Sequence, residues 1–240
     1  YNNLDQVTNT WGDVPYPVRC VYDSYGRLSQ MHTWQTGTSW SGVTFPTDIE
    51  GQQDVTTWNY QEATGLLTSK TDDAGQSTTY TYTTGGKLST RTWARSGGTI
   101  VTTYSYDPNT AELLSVNYSD TTPDLTFTYN RSGQQNTITD ALGIRTFSYN
   151  TSLQPLGESI SGLYSKVLTR TYETTGVIGR STGLNTGADY SLTYGSDSTG
   201  RFNSIGWNVN GTTGTATYAY VPNSDLLSTL TTGNGQLTTY

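Results

Sequence analysis

Val21-Tyr22-Asp23-Ser24-Tyr25-Gly26-Arg27-Leu28 reads as the end of one β-strand, a tight turn and the start of the next. An aromatic residue suits a pleated, half-buried surface. The aspartate that follows can accept a hydrogen bond from the backbone two residues on, and Gly26 can take the positive φ that closes a hairpin. Arg27 and Leu28 then open the returning strand, the base expected in solvent and the aliphatic expected inward. The strand before such a turn alternates: in Thr79-Tyr80-Thr81-Tyr82-Thr83 tyrosines take one face and threonines the other, because strand side chains have a period of two.

The pattern returns along the chain. Counted by the tyrosine before the turn, the copies are Tyr22, Tyr60, Tyr82, Tyr106, Tyr129, Tyr149, Tyr172, Tyr194 and Tyr220, spaced by 38, 22, 24, 23, 20, 23, 22 and 26 residues. Turn and exit residues keep pace at Gly65, Gly86 with Leu88, Asp107, Gly133, Gly176, and Gly200 with Arg201. A fixed period of about 22 residues signals a repeat array, with each repeat one hairpin that buries its face only against its neighbours. Secondary turns at Asp72-Asp73-Ala74-Gly75, Ser96-Gly97-Gly98 and Asp140-Ala141-Leu142-Gly143 fall between the main ones. Two turn classes per period make a meandering antiparallel ribbon. The expected fold is therefore all-β: tandem hairpins forming a curved or spiralling sheet, with no helical periodicity in any window.

These residues resemble the tyrosine-aspartate (YD) repeats of the RHS family, whose pattern runs Tyr-x-Tyr-Asp-x-x-Gly-Arg-Leu. Tyr22 to Leu28 match its second half and Tyr104-Ser105-Tyr106-Asp107 its first, with Ala111 or Glu112 in place of the turn glycine. The resemblance runs from about Tyr22 to Leu227. The aspartate position is degenerate, occupied by Gln61, Thr83, Asn130, Asn150, Glu173, Gly195 or Val221. The resemblance implies a β-strand ribbon that spirals into a hollow shell, commonly around a toxic C-terminal domain. Nothing in the chain matches that family's shell-closing segment or self-cleaving aspartates, so cargo and autoproteolysis are expected outside these residues.

Composition narrows the classes. The chain has 240 residues, a net charge of −7, 32% hydrophobic and 13% charged residues. Abundant tyrosine with little charge opposes disorder and fits a thin-cored sheet with a hydroxyl-rich outer face. Its bases are scattered singly, without the basic stripe of a nucleic-acid binder. No apolar run is long enough for a transmembrane helix. A hydroxyl-rich, lysine-poor surface points to a secreted or cell-surface location, as in a bacterial envelope or exported protein.

Residues 1–20 read as the end of a preceding repeat and 21–240 as the array, with an irregular insertion at 37–54 that carries Trp40, Phe45 and Pro46. The insertion is either a decayed repeat or an extra loop; a longer hairpin with its aromatics packed on the sheet is favoured. After Gly157 the turns become glycine-richer, as at Gly176, Gly183, Gly187, Gly211 and Gly214, and the strand pattern is less distinct. A chain that opens and closes within the pattern reads as a fragment, and a fragment of an open ribbon is expected to associate through its free edges.

Few residues offer chemistry. His32 is the single histidine and Cys20 the single cysteine. Neither a paired-histidine metal motif nor an internal disulfide can form, and both residues read as strand positions. Asp72, Asp73, Asp197 and Asp225 read as turn caps; a carboxylate pair from two repeats is the one acid–base alternative. No metal, cofactor or catalytic residue is assigned, and the chain is not expected to be an enzyme. The sequons at Asn117, Asn130, Asn150 and Asn210 are what chance gives in such a composition. Trp11, Trp34, Trp40, Trp58, Trp93 and Trp207 either pack on the inner face or offer stacking platforms to sugars. The expected partners are further repeats of the same chain and an enclosed effector domain. The alternative function is a surface adhesion or carbohydrate-binding module with glycans as ligands.

Overall fold

A computed structural model describes residues 1–12, 16–35, 44–46, 51–95, 98–162, 165–174, 179–187 and 189–240. Among them there is no helix, and every regular element is an antiparallel strand. The chain forms two compact units, Tyr1–Asp124 and Leu125–Tyr240.

The first unit holds β1 (Asn9–Thr10), β2 (Val18–Tyr22), β3 (Leu28–Thr33), β4 (Asp54–Tyr60), β5 (Leu67–Thr71), β6 (Ser77–Tyr82), β7 (Leu88–Arg95), β8 (Gly98–Tyr106) and β9 (Leu113–Tyr118). The second holds β10 (Leu125–Tyr129), β11 (Gln135–Asp140), β12 (Gly143–Tyr149), β13 (Pro155–Gly162), β14 (Lys166–Tyr172), β15 (Ser181–Asn185), β16 (Tyr190–Ser196), β17 (Phe202–Val209), β18 (Thr212–Tyr220), β19 (Leu227–Thr231) and β20 (Leu237–Thr239). Within each unit every strand pairs with its sequence neighbour. Turns therefore alternate between two edges: one carries the motif turns, the other the secondary turns.

Register separates two chemistries. In the first unit Trp58, Lys70, Thr78, Trp93 and Ile100 lie in one row across β4–β8, with Tyr80, Arg91, Thr102 and Tyr118 in the next. The other face carries Ser69, Thr79, Thr92 and Val101, then Thr81, Thr90, Thr103 and Asn117. Its hydroxyls pair across strands: Thr81 and Thr90 lie 2.6 Å apart, and Thr128 and Thr137 in the second unit 2.7 Å. Cross-strand hydroxyl pairs of this kind contribute a few tenths of a kcal/mol each, up to about 1.

The core is thin. Among the described residues Trp34 and Val116 are the buried hydrophobics, and Pro17 is also fully enclosed. The accessible surface is 15571 Å², where a compact monomer of this mass would expose about 10,600 Å². Stability thus rests on strand pairing and on contacts between neighbouring hairpins. In the first unit an aromatic cluster joins Trp34 to Phe45, edge-on at 5.5 Å between centroids, and Phe45 to Trp11 at 5.7 Å. The Arg19 guanidinium lies over both Trp34 and Phe45.

β3 and β4 pair directly, Gln30 against Thr57, so the long connection between them leaves from the secondary-turn edge. Most of it, Trp40 included, lies outside the described residues, as do Ser96, Gly97 and Gly176. Among the described residues the strands continue after Gly157, and Gly183 and Gly214, expected in turns, lie inside them. Gly157, Gly183, Gly195, Gly206 and Gly214 sit inside β13, β15, β16, β17 and β18. There they leave room for neighbours: a methyl at Gly214 would lie 2.3 Å from Cζ2 of Trp207, its cross-strand partner, and one at Gly206 2.5 Å from the Thr193 hydroxyl.

Candidate functional site: a stapled turn edge

Asp23 shows what the motif builds. Its backbone N–H donates to the Arg27 carbonyl (2.9 Å) and its carbonyl accepts from Gly26 (3.0 Å), with Gly26 at φ 77°. The turn is a three-residue loop with a bulge, the form in which the third residue must be left-handed. The Asp23 carboxylate accepts from the N–H groups of Tyr25 and Arg27, both at 2.9 Å, and pairs with Arg27 Nε at 2.7 Å. Partial desolvation raises the pKa of this carboxyl, but Arg27 and the turn N–H groups outweigh it and hold it below the ordinary range. The register shifts between Val21 and Tyr22, so Tyr22 faces Leu28 across the bulge.

The same geometry recurs with other residues. Asn130 and Asn150 replace the aspartate, each accepting from two turn N–H groups. Thr83 accepts through its hydroxyl from Lys87 N at 3.1 Å. The left-handed position is Gly65, Gly86, Gly133 and Gly200 in four turns, but Ala111 (φ 61°) after Asp107 and Leu153 (φ 63°) after Asn150. In the turn after Tyr172 it is Gly179 (φ 86°), whose N–H donates to the Glu173 carbonyl.

Tyr194 is displaced from the role expected of it. The register shift in β16 falls between Gly195 and Ser196, and Ser196 faces Phe202. Ser196-Asp197-Ser198-Thr199-Gly200-Arg201-Phe202 is thus the counterpart of Tyr22 to Leu28, and Tyr194 corresponds to the first tyrosine of a Tyr-x-Tyr pair. Asp197 caps this turn, accepting from the N–H groups of Thr199 and Arg201 at 2.9 Å and pairing with Arg201 Nε at 2.8 Å. The hydrogen bond from the Thr199 hydroxyl, joined by those from Arg201 and the turn N–H groups, holds its carboxyl well below the usual carboxylate range.

Two ladders join successive motif turns, and sequence reasoning found neither. The first is made by tyrosine hydroxyls. Tyr22 donates to the Val7 carbonyl (2.9 Å), Tyr60 to Leu28 (2.8 Å), Tyr82 to Leu67 (2.8 Å) and Tyr106 to Leu88 (2.9 Å). In the second unit Tyr149 donates to Gln135 (2.8 Å), Tyr172 to Pro155 (2.5 Å) and Tyr220 to Phe202 (2.5 Å). In every case the acceptor stands two residues after the left-handed residue of the preceding motif turn. Burial pushes the Tyr82 and Tyr106 hydroxyl pKa values up. Tyr194, lacking the position, instead sets its ring against Phe202 at 6.3 Å.

The second ladder uses the residue directly after the left-handed one. Gln6 donates to the Gly26 carbonyl (2.7 Å), Gln134 to Leu153 (2.8 Å), Gln154 to Gly179 (2.9 Å), Arg180 to Gly200 (2.7 Å) and Arg201 to Ser224 (2.6 Å); Lys87 reaches Ala111. The acceptors belong to the next turn, at carbonyls that the bulge leaves outside the strand ladder. Arg27 is accordingly not a solvated base. Its guanidinium lies 4.5 Å over the Tyr60 ring and pairs with Asp23, as Arg201 lies 4.6 Å over Tyr220 and pairs with Asp197. A flat cation suits this place because it stacks on a ring and donates in plane at once. The signal in the sequence was a base or glutamine after most motif-turn glycines, as at Arg27, Lys87, Gln134, Arg180 and Arg201, whose shared role shows only when the turns are set side by side.

No family model matches the chain, and no curated protein matches it. The chain is similar in strand arrangement to part of a TcdB2-TccC3 structure. With TcdB2-TccC3-Cdc42 the TM-score is 0.42 at 16% identity, over 92% of this chain and 13% of that one. With the Photorhabdus luminescens Tc holotoxin pore carrying a TccC3 mutation it is 0.40 at 17% identity, over 88% and 12%. A porin-like protein from Bacteroides uniformis gives 0.26 at 16% identity, over 97% and 95%.

The residues singled out for chemistry stand apart. Cys20 is half-buried on β2 opposite Met31. His32 lies on β3 with Nε2 3.2 Å from the Gln30 side-chain oxygen. Asp72 caps its own turn through Gln76 N (2.8 Å), and Asp73 accepts from Val55 N (3.0 Å). Asp225 is almost fully exposed, 3.9 Å from Arg201. Asn117 donates its amide to Asp124, and Asn210 occupies a positive-φ turn position. Trp34 and Trp207 are packed, Trp207 over Gly214 and Gly233.

Proposed function

We propose that this chain is a structural wall segment, a run of tyrosine-stapled hairpins that helps enclose an effector domain lying outside these 240 residues. The observation that carries the reading is the tyrosine ladder. Each hydroxyl fixes one hairpin to the turn before it, so the motif edge is reinforced along both units. A sheet with almost no core gains its rigidity from such neighbour-to-neighbour contacts, which is the economy of repeat proteins. A wall also needs few charges and many strand hydroxyls, which this chain has.

In this reading the chain performs no catalysis, needs no metal or cofactor, and works outside the cytoplasm of an exporting cell. The resemblance to YD repeats supports enclosure over adhesion.

Protease protection in the native polypeptide tests it. A domain joined to this segment should resist protease in the intact protein and become sensitive when Tyr82, Tyr106 and Tyr149 are all changed to phenylalanine. A joined domain cleaved equally fast before and after the change would overturn the enclosing role.

A further inference from the structure

Four strands of the first unit form an open trough on the aromatic face. Its larger part, about 720 Å³, is lined by Lys70, Thr78, Tyr80, Arg91 and Trp93, and a further 470 Å³ continues past the shared Tyr80 toward Thr68 and Tyr82. Lys70 Nζ stands 5.2 Å over the Trp58 ring, and the Arg91 guanidinium 5.2 Å over Trp93. Two cations held on rings thus face the same concavity.

In three other stacks of this molecule the cation has a third member, and in one of them, Lys87 over Tyr106, it is the Ala111 carbonyl. Arg27 over Tyr60 is paired with Asp23 at 2.7 Å, and Arg201 over Tyr220 with Asp197 at 2.8 Å. Lys70 and Arg91 have no carboxylate at ion-pair distance among the described residues. Asp72, at the trough's end, gives its carboxylate to its own turn. In a chain of net charge −7, two stacked cations without carboxylates mark a place built for an anion from outside.

We infer that the trough binds an extended acidic polypeptide segment whose carboxylates complete the Trp58–Lys70 and Trp93–Arg91 stacks. The cations stand on β5 and β7, one cross-strand row apart, which puts their Cα atoms about 12 Å from each other by strand and residue spacing. That separation is too long for one small dicarboxylate and matches acids at positions i and i+4 of an extended chain, about 13 Å apart on one face. The residue at i+2 falls over Tyr80. A saccharide fits less well, because each indole already carries a cation over its face.

The test is a tryptophan-fluorescence titration of the intact chain with a capped peptide, Thr-Glu-Thr-Tyr-Thr-Glu-Thr. Binding with a dissociation constant on the order of 100 μM is expected, weakening as salt rises, since exposed charge pairs are screened. The same peptide with both glutamates changed to glutamine should bind at least about tenfold more weakly. So should the acidic peptide with the Lys70→Gln/Arg91→Gln chain, whose circular dichroism reports whether the sheet is kept. Equal binding of the glutamine peptide, full binding by the double variant, no binding at all, or capture of an oligogalacturonate in place of the peptide would each overturn the inference.

Discussion

Asp23 and Asp197 each accept two turn N–H groups and hold an arginine, and both carboxyls stand below their ordinary pKa. A carboxyl whose folded pKa is depressed adds stability above its unfolded pKa, about 3.9, and loses it as pH falls through the lower folded value. The melting temperature should therefore be insensitive to these groups from neutral pH down to about 5 and decline below about 4. Asp197→Asn keeps the cap, as Asn130 and Asn150 show, but removes the acid-sensitive part. Melting curves from pH 7 to pH 2 should be flatter for the variant, and identical curves would assign the acid response elsewhere. Leu153 makes the opposite case at the same scale. It holds φ 63° while 55% exposed, a conformation that costs a residue with a Cβ about 1 kcal/mol or more. Leu153→Gly should raise stability by roughly 0.5–1 kcal/mol despite the lost side chain, read as a shift in denaturation midpoint.

At the scale of the hairpin, the tyrosine hydroxyl is the join. Tyr82→Phe leaves the ring in place and the Leu67 carbonyl without its donor, a loss of about 1 kcal/mol for a half-buried acceptor. Tyr194→Phe should cost far less, since its hydroxyl holds no carbonyl of the preceding turn. A denaturation series across the motif tyrosines separates the two classes, and equal effects at Tyr82 and Tyr194 would remove the ladder's role. Gly214 and Trp207 join hairpins differently. Gly214→Ala must push the indole away from a contact already at 2.3 Å from the added methyl, at about 1–3 kcal/mol of overpacking. The hairpins, their turns and their alternating faces were legible in the sequence because each depends on residues a few positions apart. The ladders were not, because they join residues 14 to 32 positions apart. The displacement of Tyr194 to Ser196 was hidden for a related reason: Tyr-x-Tyr offers two tyrosines, and only the bulge decides which faces the exit residue. Gly183 and Gly214 read as turn glycines because propensity disfavours glycine in strands, while cross-strand packing against the Thr171 hydroxyl and the Trp207 indole requires it there.

For the molecule as a whole, a thin core changes how it comes apart. A globular domain unfolds as one body because its elements share a core, whereas a repeat array is held by nearest-neighbour terms and opens locally. Each described hairpin here touches its sequence neighbours through strand pairing, and most add a tyrosine hydroxyl, a base or a glutamine that reaches the adjoining motif turn. Loss of one staple should then be felt over one or two hairpins. Native-state hydrogen exchange on the Tyr106→Phe chain should show faster exchange in β7, β8 and β9, with protection in β16–β18 unchanged. The double variant Tyr106→Phe/Tyr220→Phe should lose stability as the sum of the single changes to within about 0.5 kcal/mol, since the two sites share no partner. Uniform acceleration across all strands, or strong coupling between the two sites, would mean that the sheet unfolds as a single cooperative body. The staples would then be setting its global stability and not the independence of its repeats.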